Sequence, residues 1–335
     1  MPAPLPPLAV SLGDPAGVGP ELLAEAWHRR QAGDLPWFVV GGAGLLRAAA
    51  ETRGFDLPLA PIGAPEEATD AFADALPVLG DLDGAYRPGA PDRDGARLAL
   101  ASLDQAASLA AGGRAAGVMT GPIAKSRLAE IGFNHPGQTE FVAGACGVAA
   151  ADAVMMLAGP TLRTVPLTVH IALAAVPGAL SADLIVRRAR IVARALVRDF
   201  GLARPRLAIA ALNPHAGEDG RMGGEEAAII APAIARLQAE GLAVSGPHPA
   251  DALFAPRARE TYDVALCMYH DQALIPLKAL DFDAGVNVTL GLPTIRTSPD
   301  HGTAFAIAGK RLADAGATMA ALRMAADCAR RRAAA

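Results

Sequence analysis

Three of the seven histidines, His170, His215 and His270, each follow a short apolar segment of the chain. Their wide spacing matches no local zinc motif, so the argument depends on their placement. Such apolar segments are typical of buried parallel strands, whose carboxyl ends meet at one edge of a sheet. Imidazole is a common metal ligand, and three protein ligands with open positions are typical of a catalytic metal. The pattern therefore predicts a divalent-metal site, with strand-end hydrogen bonding as the alternative.

Two carboxylates near these histidines are candidates for proton transfer. Asp271 directly follows His270, and Asp251 closes a segment that contains two prolines. A carboxylate beside a metal-binding imidazole can orient the ring, and one near the substrate can accept a proton. We therefore name Asp251 and Asp271 as candidate catalytic residues, with capping or loop hydrogen bonding as their alternative role.

Polar side chains also occur in two segments, residues 120–125 and 136–140, and in a glycine-rich stretch, residues 285–296. Hydroxyls, backbone N–H groups, an ammonium and a guanidinium suit a phosphate or a carboxylate. Only three of the 30 basic residues are lysines, which favours a specific role for Lys278 over general surface charge. The candidate anion-binding residues are Gln138, Thr139, Lys278, Asn287 and Arg296; surface exposure is the alternative.

The segment at residues 13–21 reads Gly-Asp-Pro-Ala-Gly-Val-Gly-Pro-Glu and stands between an apolar run and a helix-like pattern. It does not have the spacing G-x-G-x-x-G, and two prolines interrupt it, so we reject a Rossmann nucleotide-binding fingerprint. A tight structural turn remains the alternative for this segment.

Strand-like and helix-like patterns alternate along the chain, which predicts an α/β protein with a largely parallel sheet. The clearest helix covers residues 181–200, with Ser181 as its N-cap, and a second covers residues 223–238. A length of 335 residues favours two domains. The predicted strands are residues 7–12, 37–40, 115–119, 164–169, 207–211 and 264–268.

The composition excludes several classes of protein. The net charge of −4 gives no indication of nucleic-acid binding, and no apolar run approaches the ~18–20 residues of a membrane span. The amino terminus lacks the basic residues of a signal peptide. Three widely separated cysteines favour a reduced compartment over a disulfide framework. We therefore expect a cytoplasmic protein without a nucleic-acid or membrane partner.

Three blocks of sequence together resemble the 4-hydroxythreonine-4-phosphate dehydrogenase family of vitamin B6 biosynthesis, and the resemblance extends over nearly the whole chain. The blocks are Asn-Pro-His-Ala-Gly-Glu at 213–218, Tyr-His-Asp-Gln at 269–272 and Arg-Thr-Ser-Pro-Asp-His-Gly-Thr-Ala at 296–304.

The resemblance implies a two-domain α/β/α sandwich like that of isocitrate and isopropylmalate dehydrogenases, and not a Rossmann fold. We expect a cofactor-side domain at residues 1–125 with 285–335 and a metal and dimerisation domain at 126–284, with a cleft between them. The segment that matches the adenine-side loop of the wider fold begins with His301, Gly302, Thr303 and Ala304. The implied cofactor is NAD or NADP.

The resemblance also implies that His170, His215 and His270 hold zinc, magnesium or cobalt, with ligands drawn from both subunits of a homodimer. Positions that match Thr139, Lys278, Asn287 and Arg296 contact the substrate. At Gln138 the chain departs from the family, where histidine is common. Glutamine can donate and accept a hydrogen bond but cannot carry charge, so this departure bears on substrate specificity.

The implied reaction is the NAD-dependent oxidation of 4-phosphooxy-L-threonine to 2-amino-3-oxo-4-phosphooxybutanoate, which loses carbon dioxide to give 3-amino-2-oxopropyl phosphate. The alternatives within the family are oxidation of a threonate or erythronate 4-phosphate, or of a dihydrodiol. Two other classes of protein are also alternatives: an acyl-phosphate transferase, because such enzymes have a similar fold, and a non-catalytic binding protein.

Overall fold

The computed structural model describes residues 5–334 of the chain. Within these residues twelve strands follow one another along the chain. They are β1 (Leu8–Ser11), β2 (Trp37–Val40), β3 (Leu59–Ile62), β4 (Leu76–Leu79), β5 (Gly117–Thr120), β6 (Val154–Ala158), β7 (Arg163–Pro166), β8 (Arg206–Ala210), β9 (Ala243–His248), β10 (Val264–Cys267), β11 (Val286–Leu290) and β12 (Ile295–Pro299).

Thirteen α-helices lie between and after these strands in the described part of the chain. They are α1 (Gly19–His28), α2 (Ala43–Arg53), α3 (Ala68–Ala71), α4 (Arg93–Ala111), α5 (Lys125–Ala129), α6 (Gln138–Ala145), α7 (Val176–Ala179), α8 (Ala182–Arg198), α9 (Ala231–Ala239), α10 (Ala250–Leu253), α11 (Pro256–Arg259), α12 (His270–Asp281) and α13 (Gly316–Ala334). Short 3-10 turns occur at Pro65–Glu67, Ala150–Asp152, Leu173–Ala175, Pro214–Gly220 and Phe282–Ala284, and a π-helix at Glu226–Ile230.

The described chain forms two compact units. The first unit contains residues 5–153 and 292–334, and the second contains residues 154–291. The domain boundaries predicted from the sequence are 125/126 and 284/285, and that division into cofactor and metal domains stays a prediction. Residues 1–4 and 335 of the predicted ranges lie outside the described residues.

In the first unit the strand order is β3-β4-β2-β1-β5-β12, and every neighbouring pair is parallel. All four residues of β1 are buried, as expected for a parallel strand covered on both faces. A Rossmann domain places its third strand beside its second, whereas here β4 lies between them. The rejection of the Rossmann fingerprint therefore agrees with the strand order of this unit.

In the second unit the order is β11-β6-β7-β10-β8-β9. The strands β7, β10, β8 and β9 are parallel to one another, and β6 is antiparallel to both β7 and β11. The prediction of an α/β protein with a largely parallel sheet is confirmed, although the β6–β7 hairpin was not foreseen.

The most regular helix of the second unit is α8. Ser181 caps it, because its Oγ accepts a hydrogen bond from the N–H of Leu184 at 3.1 Å. Apolar residues at helical spacing, among them Ile185, Ala189 and Leu196, form the buried side. The predicted helix and its cap are confirmed. No helix in residues 5–334 is both long enough and apolar enough to span a membrane.

Candidate active site

The three candidate metal-binding histidines belong to the second unit and follow neighbouring strands. His170 comes after β7, His270 begins α12 directly after β10, and His215 comes after β8. Because β10 lies between β7 and β8 and all three are parallel, their carboxyl ends meet at one edge. The rings of His170 and His270 lie with their centroids 5.7 Å apart. A cavity of about 230 Å³ at this point is lined by Thr168, His170, Ile171, Leu173, Val176, Tyr269, His270 and Asp271.

The backbone is strained at two of these histidines. His170 has a φ of 54° and His215 a φ of 50°, in the left-handed region that side chains with a Cβ rarely adopt. In the Pro214–Gly220 turn this conformation continues through Asp219. Such strain persists only where the surroundings enforce it, and it concentrates at functional sites.

The Pro214–Gly220 turn, which we call the His215 turn, is held by the buried carboxylate of Glu226. Its Oε1 accepts hydrogen bonds from the backbone N–H groups of Leu212 and Asn213 at 2.9 and 2.8 Å. Its Oε2 accepts a third from Asn213 Nδ2 at 3.0 Å. Gly223 passes so close to Asn213 that a Cβ there would collide with the amide. The loop is therefore anchored immediately before His215.

These bonds fix the charge state of Glu226. Burial alone would raise its pKa, but the hydrogen bonds from Asn213 and Leu212 outweigh burial and hold the pKa below its ordinary value of 4.5. Because the folded state favours the carboxylate, its contribution to stability is complete above the ordinary pKa. It is lost as the pH falls through the lowered value.

We expect Glu226→Gln to lower the free energy of unfolding by about 2 kcal/mol at neutral pH, since an amide NH₂ would face a backbone N–H donor. The difference from the unsubstituted protein should shrink as the pH falls below the ordinary value of 4.5 and through the lowered pKa of Glu226. Urea denaturation at several pH values measures both effects. Glu225→Gln is the matched control, because Glu225 accepts a bond from the Asn213 side chain, at 2.8 Å, and none from a backbone N–H among residues 5–334. Equal losses in the two variants would contradict the anchoring role.

A second buried side chain connects two of the histidine loops. Gln272 donates from Nε2 to the carbonyl oxygen of Ala211 at 2.7 Å and accepts at Oε1 from the N–H of Met268 at 2.7 Å. It therefore fixes the end of β8 relative to the end of β10.

The two candidate catalytic carboxylates have different surroundings. Asp271 Oδ1 lies 2.7 Å from His270 Nδ1, the arrangement that orients a metal-binding imidazole through its other nitrogen. Asp251 is exposed on α10, which packs against the Pro214–Gly220 turn. The contact of Asp271 thus favours the orienting role.

Within residues 5–334 of a single chain, no group of three or more His, Cys, Asp or Glu side chains comes close enough to hold a metal ion. One chain brings the rings of His170 and His270 together, with His215 on the adjoining strand end. Imidazole nitrogens are ligands that zinc and similar ions prefer, and the Asp271 carboxylate contacts one of these rings, that of His270.

Three candidate substrate residues come together in the first unit. Gln138 and Thr139 form the first turn of α6, where backbone N–H groups favour an anion. Arg296, on β12, donates to Thr139 Oγ1 at 3.4 Å and to Thr120 Oγ1 at 2.8 Å. Gln138 Nε2 donates to the carbonyl oxygen of Gly121 at 3.0 Å, and its Oε1 is buried without a hydrogen-bond partner. We call Thr120, Gln138, Thr139 and Arg296 the anion-binding group.

The positive charge of the anion-binding group is on a buried guanidinium. Arg296 is only 3% exposed, and burial lowers its pKa to about 10, although the carboxylate of Glu140 acts in the opposite direction. The surface alternative for Arg296 is therefore wrong. A buried cation among hydroxyls and helix N–H groups suits a phosphate or carboxylate.

The other two candidate substrate residues lie in the second unit. Lys278 is on α12, with its Nζ 6.0 Å from the centre of the Phe282 ring. Asn287 is on β11, and its Oδ1 is buried without a hydrogen-bond partner. An orphaned buried acceptor is rare in proteins and indicates a ligand or an ordered water.

The candidate cofactor residues, His301 to Ala304, begin an irregular stretch of the first unit, the 301–313 segment. His301 Nδ1 lies 3.1 Å from the carbonyl oxygen of Gly302, and its Nε2 is buried without a partner. Ala304 has a left-handed φ of 47°. A free ring nitrogen and a strained backbone at this position fit a bound nucleotide.

Sequence reasoning did not find Glu226 or Gln272 as site residues. Glu226 is one of two adjacent glutamates in a helix-like pattern, and no local signal distinguishes it from its partly exposed neighbour, Glu225. Gln272 belongs to the Tyr-His-Asp-Gln block, and that block was the available signal.

Comparison with known proteins identifies the family. Residues 35–325 match the model of the pyridoxal phosphate biosynthetic protein PdxA. A 4-hydroxythreonine-4-phosphate dehydrogenase from Erythrobacter litoralis is 63% identical over 328 residues, 98% of each chain. The crystal structure of such an enzyme from Klebsiella pneumoniae is 36% identical, with a TM-score of 0.85 over 98% of this chain and 99% of that one.

A terephthalate 1,2-cis-dihydrodiol dehydrogenase from Burkholderia xenovorans is also similar. It is 30% identical, with a TM-score of 0.65 over 97% of this chain and 98% of that one. The family expected from the three sequence blocks is confirmed over most of the chain. The protein is an oxidoreductase that belongs to the PdxA family of 4-hydroxythreonine-4-phosphate dehydrogenases.

Proposed function

We propose that this protein oxidises 4-phosphooxy-L-threonine with NAD, in pyridoxal 5'-phosphate biosynthesis. The observation that carries the proposal is the anion-binding group, in which buried Arg296 lies beside Thr139 at the start of α6. A doubly charged phosphate satisfies a buried cation better than a neutral ligand does. The names of the full-length relatives support the same substrate.

His170, His215 and His270 are the metal ligands in this proposal, and zinc, magnesium and cobalt are the candidate ions. A divalent ion would lower the pKa of the substrate hydroxyl and stabilise its negative charge. Asp271 holds His270 in one orientation through the 2.7 Å contact. Glu226 and Gln272 fix the loops on either side, so the imidazoles need little rearrangement.

We further propose a homodimer whose second copy completes the ligand set. Large apolar side chains are exposed on the elements that carry His170 and His270: Leu173 is 67% exposed, and Ile275 in α12 and Phe282 just after it are 64% and 71% exposed. Exposed apolar surface is typical of an interface. Burying them against a second copy would also exclude water from the site.

In this assignment Arg296, Thr139 and Gln138 bind the phosphate, while Lys278 and Asn287 bind the remaining polar groups of the substrate. Asp251 is the proposed proton acceptor, because Asp271 is engaged with His270. A bound NAD would supply the hydride acceptor, and residues 301–304 would hold the nucleotide, with NADP as the alternative. The product, 2-amino-3-oxo-4-phosphooxybutanoate, is a β-keto acid and loses carbon dioxide to give 3-amino-2-oxopropyl phosphate.

The test is NAD reduction across candidate substrates before and after chelation. We expect 4-phosphooxy-L-threonine to give the highest kcat/KM, activity to vanish after metal removal, and re-addition of one of the three ions to restore it. Turnover that resists a chelator would exclude the metal role. A higher kcat/KM for threonate or erythronate 4-phosphate would reassign the substrate.

The second candidate is oxidation of a dihydrodiol, which the Burkholderia xenovorans relative favours. Such a substrate has no phosphate, but a terephthalate dihydrodiol carries carboxylates that Arg296 could bind instead. A kcat/KM that is higher for the dihydrodiol than for 4-phosphooxy-L-threonine would support this alternative. A coenzyme A-dependent reaction without nicotinamide reduction would instead indicate an acyl-phosphate transferase.

A further inference from the structure

The segment at residues 13–21, which the sequence left open as a tight turn, contacts the 301–313 segment. The N–H of Val18 donates to the carbonyl oxygen of Thr303 at 2.9 Å. A Cβ on Gly17 would lie 2.8 Å from the same oxygen, so only glycine permits this approach. The segment at residues 13–21 therefore supports the beginning of the 301–313 segment.

The middle of the 301–313 segment is held by a buried carboxylate at the end of residues 13–21. Glu21 is 0% exposed, and its Oε1 accepts a hydrogen bond from the N–H of Gly309 at 3.2 Å. Its Oε2 lies 3.3 Å from Arg53 Nη1. A buried carboxylate is tolerated only when it is paired and hydrogen-bonded, and here both conditions are met.

The end of the segment is held by the same arginine. Arg53, the last residue of α2, donates from both Nη atoms to the carbonyl oxygen of Ala313, at 3.1 Å each, and also contacts Glu25. Its guanidinium is mostly buried, with 11% of the side chain exposed. One planar cation thus connects α1, α2 and the segment.

The segment depends on these contacts because its own backbone has no regular structure. Residues 301–313 form no helix or strand, and Ala304 and Arg311 are in the left-handed region. Apolar packing of Ala308 and Ala313 against Val18 and Leu22 adds little directional constraint. The segment has two internal turns, closed by hydrogen bonds from Ile307 N–H to the carbonyl oxygen of Ala304 and from Lys310 N–H to that of Ile307. The hydrogen bonds at Thr303, Gly309 and Ala313 hold these turns against the rest of the unit.

We propose that Glu21 and Arg53 are positioning residues that hold the 301–313 segment in the conformation that binds the nucleotide. The inference rests on the proposed function for the place of NAD. Neither residue is assigned contact with the cofactor, so their loss should weaken NAD binding through the segment and leave substrate binding unchanged.

The experiment compares Glu21→Gln/Arg53→Met, which removes both charges of this pair and leaves Glu25 in contact with Arg29, with the more conservative Arg53→Lys. Amide hydrogen exchange of residues 302–313 is measured without NAD, and the Kd of NAD is measured by calorimetry. We expect exchange about 10-fold faster and a Kd about 10-fold higher in the double variant, with smaller effects in Arg53→Lys. The KM for 4-phosphooxy-L-threonine should stay within about twofold.

Arg29→Met is the matched control, because Arg29 is exposed and pairs with Glu25 without touching the segment. Unchanged exchange in residues 302–313 of a folded double variant, or of Arg53→Lys if the double variant does not fold, would overturn the inference. Faster exchange with unchanged NAD affinity would also overturn it. Absence of NAD binding in the unsubstituted protein would overturn the proposed function as well, and the exchange result would still show whether Glu21 and Arg53 hold the segment.

Discussion

Replacing His270 with alanine is expected to reduce NAD-dependent turnover at least about 1000-fold, because a metal ion supplies several kcal/mol of charge stabilisation in the transition state. The ring of His270 lies beside that of His170 and is oriented by Asp271. Removing it takes away a proposed ligand and leaves Asp271 without the imidazole it orients. Metal content after dialysis and kcat/KM with excess metal measure the two consequences separately.

The control for this substitution is His28→Ala. His28 is exposed in the last turn of α1 and stacks on Phe55, far along the chain from the three histidines. It should keep full metal content and full kcat/KM. Asp271→Asn should fall between the two, with metal affinity reduced about 10–100-fold, as is common for groups that orient a ligand. Full activity of His270→Ala would remove this residue from the ligand set.

The second large effect is expected for Arg296→Met, which should raise the KM for the phosphorylated substrate roughly 100-fold. Two charge-assisted hydrogen bonds to phosphate would be lost, worth about 3 kcal/mol together. Stability should respond differently. Burial lowers the pKa of Arg296 to about 10, so carrying the charge opposes folding at neutral pH, and this penalty fades only as the pH rises from that value towards the ordinary pKa of arginine.

Arg296→Met should therefore keep the unfolding free energy of the ligand-free protein within about 1 kcal/mol, although two hydrogen bonds to threonine hydroxyls are removed. The rise in Tm that substrate produces should be lost. Thermal denaturation with and without substrate measures this, and Arg204→Met, at an exposed position in the second unit, is the control. A large loss of ligand-free stability with an unchanged KM would make Arg296 a structural residue.

Local patterns in the sequence predicted those parts of the fold that depend on interactions between residues close along the chain. The range of β2 and the Ser181 cap of α8 follow from an apolar run and a capping residue. Strand β9 was not predicted, because Gly246 and Pro247 within it are rare in strands. They are tolerated at the edge, where β9 pairs only with β8. Strand β11 lies in the glycine-rich stretch, residues 285–296, that was interpreted as a polar series, and β12 begins at its end.

The sequence by itself determined the residue types of the candidate site and their position at strand ends. It also determined the family, since three blocks in order carry that information without any geometry. Only the tertiary structure decided that β10 lies between β7 and β8, which makes His170 and His270 neighbours. Pairing between strands distant along the chain depends on packing of the whole sheet, which local periodicity does not encode.

The tertiary structure also decided the roles of the two supporting carboxylates. Glu226 and Glu21 resemble many surface glutamates in sequence, because their partners lie in other loops. Their function arises only when folding buries them against backbone N–H groups of the His215 turn and of the 301–313 segment. A buried carboxylate must then be satisfied by these donors, and this requirement fixes the loops that carry the chemistry.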